Sequence, residues 1–173
     1  MLDIDIDKTI GFTGHRPSSL PWGYDENMSS CKRFKADLFI MLEKAINAGW
    51  TNFVSGLAIG FDTIAVETCF ELKKKYPQIK IYGAIPHLGQ EEKWSFPDKY
   101  KYHKILKKLD GYEVCSEKYE GAKTMYKRNQ FIVDNCSVLI ALWNGKPSGT
   151  SNTVNYAKKK NKKIRIINPD DYK

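Results

Sequence analysis

Three stretches of this chain carry glycine where a backbone must turn sharply or come close to a ligand: Gly11-Phe-Thr-Gly-His-Arg-Pro17, Ser55-Gly-Leu-Ala-Ile-Gly-Phe-Asp62 and Asn144-Gly-Lys-Pro-Ser-Gly-Thr-Ser-Asn-Thr153. Each precedes or feeds a segment with helical spacing, and the free N–H groups of a helix N-terminus favour phosphate. One such loop is ordinary turn chemistry. Three of them opening on one edge of a sheet point to a phosphorylated ligand. The candidate binding positions within them are Gly14, His15, Arg16, Gly56, Ala58, Gly60, Asp62, Gly145, Gly149, Thr150 and Ser151.

The charged residues among and near these loops admit two readings each. Arg128 lies three residues after Met125 and four before Ile132, which puts it on the apolar stripe of a helix, with Asn129 beside it. A guanidinium on a core-facing stripe is costly unless paired. Its partner is either a phosphate held bidentately or a structural carboxylate such as Asp134 or Asp62. Arg16 could hold a phosphate, and His15 could hydrogen-bond the ligand or act as a base; the alternative is a capped turn with an exposed pair. Asp62 could bind ribose hydroxyls, or serve as a helix N-terminal carboxylate. Glu67 lies opposite the Ile64/Ala65/Leu72 stripe and is expected to face solvent or a partner. With Asp62 and His15 it completes the catalytic candidates.

The elements that must position these groups alternate in period. Strand-like runs at 9–13, 51–55, 79–85, 112–115, 138–143 and 164–167 are separated by helical spacing at 31–48, 62–76, 99–109, 124–136 and 150–160. Such alternation with short connections predicts an α/β chain, a three-layer sandwich with a mostly parallel sheet, and one domain over residues 1–173. Runs 138–143 and 164–167 are apolar enough for strands buried on both faces. In an open sheet of this kind all three loops lie at the carboxyl edge, where ligands bind.

The 173 residues are 42% hydrophobic, 13% aromatic and 28% charged, which is globular composition and excludes wholesale disorder. The longest apolar runs are too short to span a bilayer. Residues 1–8 lack the basic and apolar regions of a signal peptide, so a cytoplasmic location is expected and no membrane partner. The scattered Cys31, Cys69, Cys115 and Cys136 have no CxxC spacing, so reduced, mostly buried thiols are expected and no metal site. The net charge of +8 is concentrated in 93–108 and 158–163. That balance suits a phosphate-bearing ligand or nucleic acid, though lysine runs are commonly solvated faces.

The motifs at 11–17 and 55–62, Arg128-Asn129 with Asp134, Trp143-Asn-Gly145, Gly149-Thr150 and Thr153-Val-Asn-Tyr-Ala157 resemble the YpsA-like branch of the SLOG superfamily, in order along nearly the whole chain. The resemblance implies a Rossmann-like fold, a nucleotide-derived ligand such as ADP-ribose, and a homo-oligomer, in particular a dimer. It also relates the chain to DprA, which binds single-stranded DNA, and to the LOG phosphoribohydrolases. The LOG loop has the form Pro-Gly-Gly-x-Gly-Thr-x-x-Glu. Here Gly149-Thr150 and Arg128 match, but Lys146 and Pro147 replace two glycines and Thr153 stands where the glutamate belongs. Threonine cannot supply a carboxylate's acid/base chemistry.

The leading expectation is therefore a sensor or sequestering module that binds an ADP-ribose-like or NAD-related ligand and needs no cofactor. A hydrolase acting on a nucleotide or N-glycosidic bond is the first alternative, and DprA-like binding of single-stranded DNA through the lysine-rich helix and tail is the second. Trp94, in a Gln-Glu-x-x-Trp stretch similar to the family's, could stack on a base or pack the lysine-rich helix. Trp22 and Tyr24 could cover the pocket or lie at a subunit contact.

Overall fold

In the computed structural model, which describes residues 2–173, six short strands form one sheet: β1 (Thr9–Gly14), β2 (Asn52–Ser55), β3 (Lys80–Ile85), β4 (Gly111–Val114), β5 (Val138–Leu142) and β6 (Lys163–Ile167). Their spatial order is β4-β3-β2-β1-β5-β6 and every pairing is parallel. Parallel neighbours need a crossover, and helices α1 (Ser29–Asn47), α2 (Phe61–Lys75), α3 (Phe96–Lys108), α4 (Ala122–Asp134) and α5 (Gly149–Lys159) supply them. The fold is the expected α/β, Rossmann-like three-layer sandwich.

The two helical layers differ in weight. On one face α1, α2 and α3 close over a large core in which Phe12, Phe34, Phe53 and Phe61 are fully buried. Phe12 stacks on Phe53 at 6.1 Å and meets Phe61 edge-on at 5.9 Å. Each such ring contributes about 1.5–3 kcal/mol by leaving water. On the other face α4 and α5 cover a smaller cluster around Ile132, Cys136, Leu139 and Ala157. Trp22 belongs to the larger core, 2% exposed and stacked on Phe34 at 5.2 Å, rather than covering a pocket or a subunit contact. Tyr24 alone of that pair is exposed.

Two expectations are corrected here. β6 is an edge strand, with Ile166 47% exposed, so it is not buried on both faces as its composition suggested. α3 begins at Phe96, three residues before the expected start. Ser95 caps it, accepting from Asp98 N–H, and Pro97 sits in the first turn, where a missing N–H costs nothing.

Candidate functional site

The chain leaves β1 towards β2, β3 and β4, then returns to place β5 on β1's other side. Strand order reverses between β1 and β5, and such a point opens a crevice at the carboxyl ends of the strands. The two ends are laced together. His15 N–H donates to Leu142 O at 3.1 Å, and Asn144 N–H donates to His15 Nε2 at 3.1 Å. That second bond requires a bare Nε2, so the ring proton sits on Nδ1. His15 is 5% exposed and its acceptor nitrogen is occupied, so it ties two loops together and is not free as a base.

Above these ends lies a cleft of about 320 Å³. Gly14, His15 and Arg16 enter it from β1, Ala58 and Asp62 from the β2–α2 connection, Arg128 and Asn129 from α4, and Gly149 and Thr150 from the start of α5. The remaining candidates stand behind this wall. The Gly56 carbonyl accepts from Arg128 Nη1 at 2.8 Å, and a Cβ at Gly56 would overlap the guanidinium. Gly60 has φ +110°, and a Cβ there would meet His15 O at 2.6 Å. Phe61 N–H donates to the same oxygen at 3.2 Å, which fastens the second loop to the first. Gly145, at φ +84°, turns the chain into the third loop.

The start of α5 is held by its own serines. Ser148 Oγ accepts from Ser151 N–H at 3.2 Å, while Ser148 N–H donates to Ser151 Oγ at 2.7 Å. This reciprocal box occupies Ser151, which is therefore not among the cleft's donors. Gly149 and Thr150 keep N–H groups with no acceptor among the described residues. Thr153, at the position of the LOG glutamate, is 1% exposed and donates to Gly149 O at 3.0 Å; it does not line the cleft.

The cleft's charges are unusual in how incompletely they are satisfied. Arg128 is 5% exposed and donates through Nε to Asn129 Oδ1 and through Nη1 to Gly56 O, both at 2.8 Å. Of the two carboxylates considered for it, Asp62 is the partner, at 3.8 Å, too far for a hydrogen bond. Asp134 is instead exposed and bonded to the Tyr156 hydroxyl. Asp62 Oδ2 also accepts from Ala58 N–H at 3.3 Å. Arg128 Nη2 and Asp62 Oδ1 have no hydrogen bond among the described residues. Burial pushes the Asp62 carboxyl up against the pull of Arg128, Arg16 and the Ala58 N–H. Burial likewise pushes Arg128 down, opposed by Asp62, although an arginine keeps its proton throughout.

One contributor escapes sequence reading. Leu57, fully buried, adopts φ +57°, a left-handed conformation that costs a non-glycine residue roughly 1–2 kcal/mol. It sits between the Gly56 carbonyl that Arg128 uses and the Ala58 N–H that Asp62 uses, so the strain sets the two groups facing their partners. Nothing in a leucine announces this. Ser148 was more legible, as a serine just ahead of a helical run.

Glu67 is corrected as a catalytic candidate. It lines a separate cavity with Lys35 and Phe39, and its carboxylate lies 3.3 Å from Lys101, because it occupies the side of α2 turned to α1 and α3. Trp94 packs edge-on against Tyr102 of α3 at 5.3 Å. The two lysine runs do not join: α3 lies in one helical layer beside β4's end of the sheet, and α5 in the other layer beside β6. All four cysteines are free; burial raises Cys136 to about 12 and both Cys31 and Cys115 to about 11. Among the described residues no cluster of three metal-ligating side chains occurs, and no helix is long and apolar enough to cross a membrane.

A parallel sheet with a cleft at its reversal point, lined by a buried arginine and a bare helix N-terminus, defines a Rossmann-like domain. Comparison with known proteins narrows this. The chain belongs to the YspA SLOG family, whose YpsA profile matches residues 10–172. It is 35% identical over 140 residues to the uncharacterized SPbeta prophage-derived protein YoqJ of Bacillus subtilis, covering 73% of this chain and 81% of that one. It is 30% identical over 158 residues to a UPF0398 protein of Bacillus cereus, covering 88% and 84%. Among solved structures, DNA processing protein A of Streptococcus pneumoniae matches 91% of this chain with a TM-score of 0.63 and 18% identity. The Helicobacter pylori protein, described for its single-stranded DNA binding mode, matches 91% with a TM-score of 0.60 and 19% identity. This chain spans 49% of the first of these and 64% of the second, so the likeness is one of fold.

Proposed function

We propose that the chain binds a nucleotide-derived ligand, ADP-ribose-like or NAD-related, with its phosphates in the β1/β5 cleft, as a sensor or sequestering module. The observation that carries this reading is convergence on one cleft of the unpaired Gly149 and Thr150 N–H groups with the Arg128 and Arg16 guanidinium groups. Oriented N–H groups and arginines together suit phosphate better than any other common anion. Binding is favoured over hydrolysis because His15 holds Asn144, Glu67 faces another cavity and Thr153 stands in place of the LOG glutamate, which leaves Asp62, beside Arg128, as the one carboxylate among the described residues that line the cleft.

Gly149 gives a test. It is the first residue of α5, follows an extended Ser148, and has open space where a Cβ would go. Gly149→Pro deletes one N–H without breaking the helix, while Gly149→Ala adds bulk and keeps the donor. A ligand at a hundredfold excess over Kd raises Tm by roughly 5–10 °C for a chain of this size. ADP-ribose or NAD should give that shift in the native protein and in Gly149→Ala, with a markedly smaller one in Gly149→Pro. No shift with any phosphate compound overturns the reading.

A second reading, single-stranded DNA, is favoured by the rim of the same edge, where Leu88, Phe96 and Tyr119 are exposed near Lys93 and Lys99. Exposed rings with lysines can stack and neutralise a single strand. Its mark is an affinity for oligonucleotide that falls steeply with salt.

A further inference from the structure

Beyond the β1/β5 cleft a second cavity, about 460 Å³, opens beside the segments that follow β3 and β4. Arg16 and Met125 line both, so the two are lobes of one groove with a waist at those side chains. Each lobe alone is at the small end of ligand cavities, which run about 300–1,000 Å³.

The lobes differ in chemistry. The first has two arginines and bare N–H groups against a single carboxylate. In the second, Lys93 is offset by Glu92, and the walls include the rings of His87 and Tyr119. Those rings lie 5.1 Å apart, tilted by 47°, and Tyr119 is 63% exposed. Its hydroxyl makes no hydrogen bond among the described residues, and it belongs to neither core cluster. Structure therefore gains little from this ring, while its open face borders the groove. Arg16, at the waist, is exposed and has no carboxylate partner among the described residues.

We propose that the second lobe is a nucleobase subsite in which Tyr119 supplies the stacking face and His87 backs it. Arg16 then holds the phosphate nearest the base as the ligand crosses the waist. The inference rests on the phosphate reading of the first lobe and deepens it: the ligand is a nucleotide long enough to reach from Tyr119, past Arg16, to the Gly149 and Thr150 amides. Charge is divided accordingly, anionic groups meeting Arg128, Arg16 and the bare amides, and a neutral ring meeting the part of the second lobe beyond Arg16, where Lys93 and Glu92 offset each other. Exposed aromatic faces bind bases with little regard for identity, so this subsite selects for having a base.

Calorimetric titration of the full chain with ribose 5-phosphate and with ADP-ribose tests this, using the native protein, Tyr119→Ala and Tyr119→Phe. Tyr119→Ala should weaken ADP-ribose about tenfold or more and leave ribose 5-phosphate unchanged, and Tyr119→Phe should restore the loss. The side chain is exposed, so Tm without ligand should stay constant. Unchanged ADP-ribose binding in Tyr119→Ala, or equal weakening of both compounds, overturns the subsite while the phosphate cleft stands. If neither compound binds the native protein, the cleft reading fails and the subsite with it.

Discussion

Two carboxylates meet cations at opposite edges of the sheet, and they are built to different ends. Asp110, just before β4 at the amino edge, accepts from Lys73 Nζ at 2.6 Å and from Ile81 N–H at 2.8 Å. Asp62, at the carboxyl edge, has one N–H at 3.3 Å and a guanidinium at 3.8 Å, in a more buried place. Burial raises both carboxyls. At Asp110 the Lys73 and Ile81 bonds, with Lys80 nearby, more than reverse it and hold the group below its ordinary value. At Asp62 burial wins. A pair whose donors and acceptors are used up is a structural joint. A mostly buried pair that still lines the cleft, with a donor and an acceptor to spare, keeps capacity for a ligand.

The largest effect should come from breaking the Asp62 pair. Arg128→Ala leaves a buried carboxylate and the Gly56 carbonyl without their partner, and unfolding in urea should show a loss of about 3–5 kcal/mol. Replacing both members with apolar side chains should recover most of that stability while abolishing the ADP-ribose shift. Recovery of both would place the ligand elsewhere.

The same two carboxylates should respond to pH in opposite senses. Asp110 is depressed, so its stabilisation is present above the unfolded value near 3.9 and is lost as pH falls through the lower folded value. Asp62 is raised, so the folded state holds its proton longer than the unfolded chain, and stability drains as pH rises from about 3.9 towards the folded value. Urea unfolding from pH 3 to 7 should give a native-minus-Asp110→Asn difference that grows with pH, to about 1–3 kcal/mol at neutrality. The native-minus-Asp62→Asn difference should decline over the same range. Parallel slopes would erase the distinction between the two sites.

How much of this was legible beforehand follows the range of the interactions involved. Element order was readable because periodicity and glycine stops are local, and the carboxyl-edge rule then gathered Gly14, Arg16, Arg128 and Thr150 into one cleft. Arg128's choice between Asp62 and Asp134 stayed open, since it depends on which helix crosses which loop. Whether a group was already occupied was also hidden: His15 reads as a base until the Asn144 N–H is seen on Nε2. β6 misled for a related reason, because an apolar run does not say whether a further strand lies beyond it. Leu57 was out of reach, its φ being imposed by neighbours rather than by its own type.

The smallest effect isolates burial from distance. Lys80 Nζ lies 3.7 Å from Asp110 Oδ1, almost the separation of Arg128 from Asp62, but the Lys80 side chain is 53% exposed where Arg128 is 6%. Water screens the first pair far more than the second, so near-equal geometry carries unequal energy. Asp110 is also already satisfied by Lys73 and Ile81, leaving Lys80 no unmet charge to answer. Lys80→Ala should therefore change stability by less than about 0.5 kcal/mol, and raising salt to 1 M should remove even that. A loss approaching that of Arg128→Ala would mean that separation, not enclosure, sets the strength of both pairs. The spare donor at Arg128 would then be no more available to a ligand than the ammonium at Lys80.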